Sequence, residues 1–429
     1  MNIRLPYGSE SLAINVPDNW INGRCYRPFL LEMAENPRAE VVSAVSDPVG
    51  LDGSFGDAVL GRREACVVVD VSRPGILSGT LAAFLAELEA ASGIAADGIQ
   101  ILVANSTWQP ITPDILRERL DDYVLDRYAV RLHNPFNAAD CAKVGTIAGD
   151  IALNVNRAYL DADLKVVFGA VQPDLLLGFA GGRSLILPGI CHESTIRALL
   201  SFDRVSHPAI RFGNLRDNPI HMAGMEAMNW VGCDIAACVL PSAAGHASRL
   251  VVGEAGQAFM AAVGILREKQ TVRVKEPMDI VVTSGGGDPY DSSLYKVFDT
   301  LSAVAPVLKP GGTIVISAEC GEEFGPYPLR EIILSAGGPR GFEERYHSGR
   351  HLIPGQWVAQ RFFDLLKRHE VIIYSKGLSE DDLWATGMTP TNDIQDAIEV
   401  AMQGHGQRCK ICALPDGPFS LAVVGNGDG

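Results

Sequence analysis

The chain has 429 residues, a length that predicts two or three domains. Its content of 47% hydrophobic and 20% charged residues is ordinary for globular proteins. Its formal net charge of −15 argues against nucleic acid and against an anionic membrane surface as partners. No apolar run reaches the length of a membrane span and the first residues lack a signal-peptide pattern, so we expect a cytoplasmic protein. The nine scattered cysteines favour free thiols, and the lone pair Cys409 and Cys412 lacks the partner pair of a zinc site.

Short apolar runs alternate with helical patterns along the chain, which predicts an α/β fold with mainly parallel sheets flanked by helices. The predicted strands are 66–70, 99–103, 164–168, 279–283 and 313–318, and helical spacing predicts helices at 81–91 and around 256–269. The Lys-Pro-Gly-Gly sequence at 309–312 predicts a turn before the last of these strands.

A fresh strand after the helical stretch at 256–269 indicates a second domain. We predict an N-terminal domain at 1–265, a hinge at 266–278 and a C-terminal α/β domain at 279–429. A ligand cleft is expected between the two domains, because domain interfaces are a preferred location for small-molecule sites. The oligomeric state is left open.

The first candidate site follows a predicted strand and reads Asp70-Val71-Ser72-Arg73-Pro74. Ligands of open α/β sheets bind beyond the carboxyl ends of the strands, so Asp70 is a catalytic candidate. Arg73 offers a planar fork for a carboxylate or phosphate. The alternative is a structural ion pair that pins the turn.

The second candidate site is the glycine-rich stretch from Gly178 to Gly189. Gly181 and Gly182 would let backbone N–H groups approach an anion closely, and Ser184 follows them. The stretch lacks the Gly-Lys-Ser/Thr ending of a Walker loop, and a tight turn between packed elements is the alternative. For Arg183 the alternatives are anion binding and a solvated position.

The third candidate site is a glycine run at 285–287 followed by a predicted helix start. Tyr295, Lys296 and Asp299 are expected to project toward the cleft and to contact substrate. Surface placement of these polar side chains is the alternative.

Taken in order, these segments resemble the nickel-pincer lactate racemase family from about residue 5 to residue 400. The shared motifs are the Asp-x-x-Arg-Pro turn at 70–74, the Gly-Phe-Ala-Gly-Gly loop leading to Leu-Pro-Gly at 178–189, Thr-Ile at 195–196, Gly-Asn-x-x-x-Asn-Pro at 213–219, Val-Val-Gly-Glu at 251–254, the Gly-Gly-x-Pro-x-Asp stretch at 286–291 and Leu-Lys-Pro-Gly-Gly at 308–312. The resemblance implies a two-domain, lactate-racemase-like fold and racemisation or epimerisation of 2-hydroxy acids. It also implies a nickel-binding pincer, tethered by a lysine and ligated by a histidine, that takes hydride from C2 and returns it.

This sequence departs from the family at the positions that hold and use the pincer. Ser184 stands where the tethering lysine is expected, and Leu200 aligns with the nickel-ligand histidine. Asp174 and Trp108 replace the two histidines that exchange the substrate's hydroxyl proton, and Asp299 replaces a substrate-binding lysine. We therefore predict no cofactor and no metal ligand, and a small anionic substrate such as a hydroxy acid or sugar acid.

Asp174 is the predicted general base, because carboxylates serve this role in enzyme clefts, and capping of the glycine-rich turn is its alternative. His192, just after the Leu-Pro-Gly segment, is a further catalytic candidate whose alternative is a helix N-terminal position. Trp108 is a candidate for stacking on a sugar or ring, against core packing.

Three functions are compatible with these residues. The first is a racemase or epimerase of a 2-hydroxy or sugar acid that works by an altered route. The second is a lyase, dehydratase or hydrolase of a polyhydroxylated acid, with Asp174 as base and Arg73 as carboxylate anchor. The third is a non-catalytic ligand-binding protein.

Overall fold

The computed structural model describes residues 2–15, 24–72, 77, 79–108, 111–347, 353–406 and 408–425. Two compact units are present, and both are discontinuous along the chain. The N-terminal unit comprises Leu30–Leu200 and Asn214–Glu268, and the C-terminal unit comprises Met1–Phe29, Ser201–Gly213 and Lys269–Gly429. The first residues of the chain therefore belong to the same unit as the last.

Among the described residues, the strands β1 to β20 are, in chain order, Asn2–Tyr7, Glu10–Asn15, Arg24–Cys25, Ala65–Val69, Ile99–Val103, Ala129–Leu132, Cys141–Ile147, Ile151–Asn156, Leu164–Ala170, Gln172–Asp174, Gly178–Ala180, Ile235–Pro241, Ala247–Gly253, Thr271–Val274, Met278–Ser284, Leu308–Ser317, Glu370–Tyr374, Thr389–Thr391, Ile411–Leu414 and Leu421–Val424.

The helices α1 to α16 of the same residues are Pro37–Ser46, Phe55–Val59, Thr80–Ser92, Pro113–Arg119, Asp122–Arg127, Arg157–Asp161, Glu193–Leu199, Phe202–Val205, Pro219–Val231, Ala255–Gln270, Leu294–Val304, Leu329–Ala336, Pro339–Tyr346, Gln356–Leu366, Glu380–Thr386 and Ile394–His405.

The main sheet of the N-terminal unit has the strand order β13-β12-β9-β4-β5-β6, in which only the edge strand β13 runs antiparallel to its neighbour. Its central strands are buried on both faces, as in the uninterrupted Ala65–Val69 run. Continuous apolar strands of this kind are typical of parallel sheets covered by helices on both sides. Helix α3 packs through Phe84 against Phe168 of β9, with ring centroids 5.3 Å apart.

The main sheet of the C-terminal unit has the order β18-β17-β16-β15-β19-β3, and its strand pairs are all parallel. The antiparallel hairpin β1–β2 packs on one face of it. Ile3, Leu5 and Ile14 of the hairpin join the same hydrophobic cluster as Val282 and Val315 of the sheet. The start of the chain is therefore part of this core.

These sheets confirm the predicted α/β class with mainly parallel strands flanked by helices. The strands predicted near 66, 99, 164 and 279 and the helices predicted at 81–91 and 256–269 are present within two residues of their expected ends. The turn predicted at 309–312 is wrong, because this segment lies inside β16, where the pairing with β15 is irregular. Gly311 has a φ of +76° there, so glycine lets the strand distort without ending.

In the part of the chain that the structure describes, the longest apolar helices are too short or too polar to cross a lipid bilayer.

Candidate functional site

The carboxyl ends of the parallel strands of the N-terminal unit meet at one edge of the sheet. Asp70 directly follows β4, and the neighbouring connections are joined by backbone hydrogen bonds from Ala104 N to Val69 O (2.8 Å) and from His133 N to Val103 O (3.0 Å). This is the edge at which open α/β sheets bind ligands. The predicted position of Asp70 at a strand end is therefore correct.

Asp70 holds the turn that follows it. The half-buried carboxylate accepts a hydrogen bond from Ser72 N at 2.8 Å through Oδ1. Arg73 lies outside the described residues, so its pairing with Asp70 or with a substrate stays a prediction. A methyl group built on Gly169 of β9 would be 3.4 Å from Asp70 Cβ and 3.2 Å from Leu185 Cδ2, which places Asp70 beside the glycine-rich loop.

Asp174 lies at the end of β10, in the hairpin that β10 forms with β11. Its Oδ1 accepts hydrogen bonds from Leu176 N (2.8 Å) and Leu177 N (2.6 Å), which is the turn-capping arrangement. Its Oδ2 accepts no hydrogen bond from the described residues, and the side chain is half-buried. One oxygen of Asp174 is thus committed to the turn, and the other is left for a proton or a ligand.

The glycine loop requires its glycines. Gly181 has a φ of +92°, and a Cβ on it would be 2.3 Å from Ala170 O. Gly182 has a φ of +53°, and its Cβ would be 2.9 Å from Phe259 Cδ2. Any other residue at either position would be strained and crowded. Glycine at these two positions therefore allows the loop backbone to lie close to the ends of the sheet strands.

Ser184 closes the loop on itself. It belongs to a short 3-10 helix, Gly182–Leu185, and its Oγ accepts a hydrogen bond from Gly181 N at 2.7 Å. Ser184 N in turn donates to Gly181 O at 3.2 Å. The hydroxyl, which is half-buried, therefore has a local structural role at the position where the family resemblance expects a lysine.

Arg183 is neither solvated nor placed to bind an anion, and both alternatives from the sequence are wrong. The side chain is 1% exposed. Its guanidinium donates to Leu177 O and Phe179 O, both at 2.9 Å, and to Gly181 O at 3.2 Å. It therefore clamps the carbonyl groups of the β10–β11 hairpin and the glycine loop from inside.

The rings of Phe259 and His221 lie near the Arg183 guanidinium. The Arg183 guanidinium lies over the ring of Phe259, 4.3 Å from its centroid, and the His221 ring lies 6.4 Å from the same ring. Burial lowers the pKa of Arg183 to about 9, and the negative charge of Asp174 opposes this shift. Burial also lowers the pKa of His221 to about 4, with the charges of Arg183 and Arg267 adding to the effect. At neutral pH Arg183 is charged and His221 is neutral.

The loop continues into a segment that is hydrogen-bonded to the sheet edge. Gly189 O accepts from Asn105 N at 2.9 Å, and Gly189 N donates to Ser184 O at 3.0 Å. His192 then caps helix α7, since its Nδ1 accepts from Ser194 N at 3.2 Å. His192 therefore has the helix N-terminal position that was its alternative. A catalytic role for His192 stays a prediction, and it would have to use Nε2, because Nδ1 belongs to the helix cap.

His133 lies at this edge of the sheet, and no sequence pattern indicated a role for it. It is 1% exposed, its Nδ1 accepts from Asn156 Nδ2 at 3.0 Å, and its Nε2 donates to Cys191 O at 3.0 Å. Burial lowers its pKa, which favours the neutral ring. The ring links the end of β6 to the segment after the glycine loop. The sequence contains no signal for this link, because a lone histidine without metal-ligand spacing does not reveal its partners.

Trp108 and Leu200 occupy buried positions. Trp108 is 6% exposed, which favours core packing, and its proposed stacking on a ligand stays a prediction. Leu200 follows the last residue of helix α7 as its C-cap and is 7% exposed. Among the described residues, no group of three His, Cys, Asp or Glu side chains could hold a metal ion.

The candidates from the second half of the chain lie in the first turns of α11, within the C-terminal unit. Tyr295 and Asp299 are half-buried and four residues apart, so they share a helix face. Lys296 Nζ donates to Pro289 O (2.8 Å) and Ser292 Oγ (2.9 Å), so it supports the preceding loop. Convergence of these residues with Asp70 and Asp174 on one substrate stays a prediction.

Comparisons with known proteins agree along nearly the whole chain. The family model "Lactate racemase N-terminal domain" matches residues 7–208, and "Lactate racemase C-terminal domain" matches residues 273–423. The lactate racemase of Thermoanaerobacterium thermosaccharolyticum is 28% identical over 97% of this chain and 98% of its own. The lactate racemase of Lactiplantibacillus plantarum is 25% identical over the same shares.

Solved structures give the same picture. The lactate racemase apoprotein from T. thermosaccharolyticum superposes with a TM-score of 0.90 at 26% identity, covering 98% of this chain and all of its own. A crystal structure of a protein from Thermotoga maritima superposes with a TM-score of 0.63 at 15% identity over 91% of this chain and 97% of its own, a likeness of fold alone.

Proposed function

Because the chain belongs to the lactate racemase family, we propose that it racemises or epimerises a small 2-hydroxy acid or sugar acid without the tethered nickel pincer. The observation that carries the second half of this proposal is the Ser184 hydroxyl. It occupies the position after Gly-Gly-x and is bound to Gly181 N at 2.7 Å. A hydroxyl in this role supplies no amine for a covalent tether.

The residues around Ser184 do not fit the family's nickel group. Leu200, at the position of the expected histidine, is buried and offers no nitrogen ligand. The imidazoles that would exchange a hydroxyl proton are replaced by a carboxylate, Asp174, and by the buried indole of Trp108. Neither an anchor nor a nitrogen ligand for that group is therefore present at these two positions.

The side chains that remain favour proton transfer at carbon. Two backbone amides fix Oδ1 of Asp174 and leave Oδ2 to take the C2 proton of a 2-hydroxy acid. The electron pair left on C2 spreads into the adjacent carboxyl group of the substrate. Return of a proton from a water molecule on the opposite face of C2 inverts the centre. Departure of a β-hydroxyl from the same carbanion, as water after it takes the proton from Asp174, gives a dehydratase instead. The dehydratase is thus a second candidate function, and the free Oδ2 of Asp174 supports it in the same way.

The first experiment measures nickel content and intact mass after co-expression with pincer-synthesis enzymes. We expect no nickel and an unmodified mass for the wild-type chain. The matched variant carries Ser184→Lys and Leu200→His, which return the amine and the imidazole to their family positions. Nickel near one atom per chain, with added mass on the wild-type protein, would overturn the pincer-free proposal.

The second experiment incubates enantiopure hydroxy acids and sugar acids with the protein in D2O. Proton transfer through Asp174 predicts solvent deuterium at C2 together with inversion, observed by proton NMR and chiral chromatography. A returned hydride would invert C2 without deuterium. Loss of water from the substrate would assign the dehydratase function, and saturable binding without any turnover would assign the non-catalytic one.

A further inference from the structure

The loop between β15 and α11 buries a carboxylate that forms no ion pair with the described residues. Asp291 is 0% exposed. Its Oδ2 accepts from Gly8 N (2.9 Å) and Glu319 N (3.2 Å), whereas its buried Oδ1 has no hydrogen-bond partner in the described part of the chain. No ion pair within those residues includes Asp291.

Such a group is costly to bury. A carboxylate removed from water needs a partner for its charge and for each oxygen, and two amide donors on one oxygen compensate only part of the loss. Buried charges in proteins are therefore paired with an opposite charge or coordinate a metal ion. Oδ1 of Asp291 has the chemistry of such a ligand.

A second unpartnered oxygen lies at the same end of the sheet. Ser317 is fully buried, and its Oγ has no hydrogen-bond partner among the described residues. Ser317 is aligned with Ser284 in the parallel pair β15–β16, so both side chains lie on one face of the sheet. Ser284 Oγ donates to Pro6 O at 2.7 Å, which identifies this face as the one under the β1–β2 hairpin.

The β1–β2 hairpin contacts Asp291 through its turn and contacts Ser284, the strand neighbour of Ser317, through Pro6. Gly8 in that turn donates to Asp291, and a methyl group built on Gly8 would be 2.4 Å from Glu319 Oε2. Glu319 is exposed, so it adds negative charge at the outer side of the turn. Cations near this loop include Lys296, whose ammonium donates to Pro289 O (2.8 Å) and Ser292 Oγ (2.9 Å), and Lys376, whose ammonium lies 6.0 Å from the centre of the Tyr7 ring.

We propose that Asp291 and Ser317 bind a monovalent alkali cation, Na⁺ or K⁺, beneath the hairpin turn. The two unpartnered atoms are hard oxygen ligands, which exclude the metals that prefer sulfur or imidazole. One buried negative charge matches one positive charge. The bound ion joins the start of the chain to the C-terminal sheet.

Thermal unfolding of the full chain tests this site. The protein is desalted into choline chloride and then titrated with NaCl or KCl at constant ionic strength. We expect a saturable rise in Tm with one alkali cation, because an ion that binds only the folded state stabilises it by mass action. Asp291→Asn should remove this response. Asp288→Asn, at an exposed aspartate of the same loop, is the matched control and should respond like the wild type.

Two results would overturn the proposal. They are a wild-type Tm that is the same in choline, sodium and potassium salts, and an Asp291→Asn protein that responds as the wild type does. If Asp291→Asn does not fold, Ser317→Ala decides the question, since it keeps the carboxylate and removes one neutral ligand. The midpoint of its cation titration should rise about tenfold, and an unchanged midpoint would also refute the site.

Discussion

Replacement of Arg183 by methionine tests whether the buried guanidinium clamps the glycine loop. Methionine keeps the length and apolar stem of the side chain but leaves the carbonyl groups of Leu177, Phe179 and Gly181 without their donor. Hydrogen bonds to a charged group contribute about 1.5–3 kcal/mol each, so the three together contribute about 5–9 kcal/mol. Removal of a fully buried charge returns several kcal/mol of desolvation cost. We expect a net destabilisation of about 2–4 kcal/mol.

The measurement is urea unfolding combined with hydrogen–deuterium exchange of peptides that cover 174–186. Exchange in this segment should rise more than in the C-terminal unit, because the clamp acts on its backbone. Arg249→Met, at an exposed arginine of β13, is the control and should change stability by less than about 0.5 kcal/mol. Arg183→Lys keeps a charge but loses the planar fork, so an intermediate effect is expected.

The clamp would be refuted by an Arg183→Met protein as stable as the wild type with unchanged exchange at 174–186. In that case the free-energy cost of desolvating the guanidinium would equal the stabilisation from its hydrogen bonds. The loop would then owe its shape to the glycines alone.

Three other perturbations probe the same site. Gly181→Ala should cost at least about 2 kcal/mol in urea unfolding, because of the φ of +92° and the 2.3 Å approach to Ala170 O, and a neutral effect would contradict this geometry. His221 takes up its proton near pH 6.5 in the unfolded chain and near pH 4 in the folded one, so the free energy of unfolding should fall as the pH drops from 6.5 to 4. We expect a loss of about 1–2 kcal/mol, because the partly exposed ring is screened by solvent. His221→Phe should lose that part of the pH dependence, and identical profiles would disprove it. Asp174→Asn keeps the acceptor at Oδ1 and should fold normally, but it should slow deuterium incorporation at C2 at least about 100-fold.

The sequence predicted the elements whose signal is local. Buried parallel strands such as Ile99–Val103 are continuous apolar runs, and helix α3 shows its apolar spacing directly, so both were found. The turn predicted at 309–312 is wrong because proline and glycine are also tolerated where a strand bends, and Gly311 has a positive φ at such a bend. Local patterns cannot report a register shift that depends on the neighbouring strand.

The sequence predicts the candidate site less completely. The roles of its side chains depend on contacts with residues that are distant in sequence and with backbone carbonyl groups, which a sequence pattern does not show. Arg183 sits beside Ser184 in the chain, yet only the fold shows that it faces the carbonyl groups and the Phe259 ring. His133 meets Asn156 and Cys191 through contacts 23 and 58 residues apart. No periodicity in the sequence encodes such a network.

The discontinuous C-terminal unit has a consequence for synthesis on the ribosome. Ile3, Leu5 and Ile14 of the hairpin share a core with Val282 and Val315, which are made about 270 to 310 residues later. At about 5–20 residues per second, the hairpin emerges roughly 15–60 s before its sheet exists. During that interval the N-terminal unit can fold while the apolar face of the hairpin stays uncovered, a surface that holding chaperones recognise. A fragment that comprises only Lys269–Gly429 would lack the hairpin altogether and leave the matching face of the sheet open to aggregation.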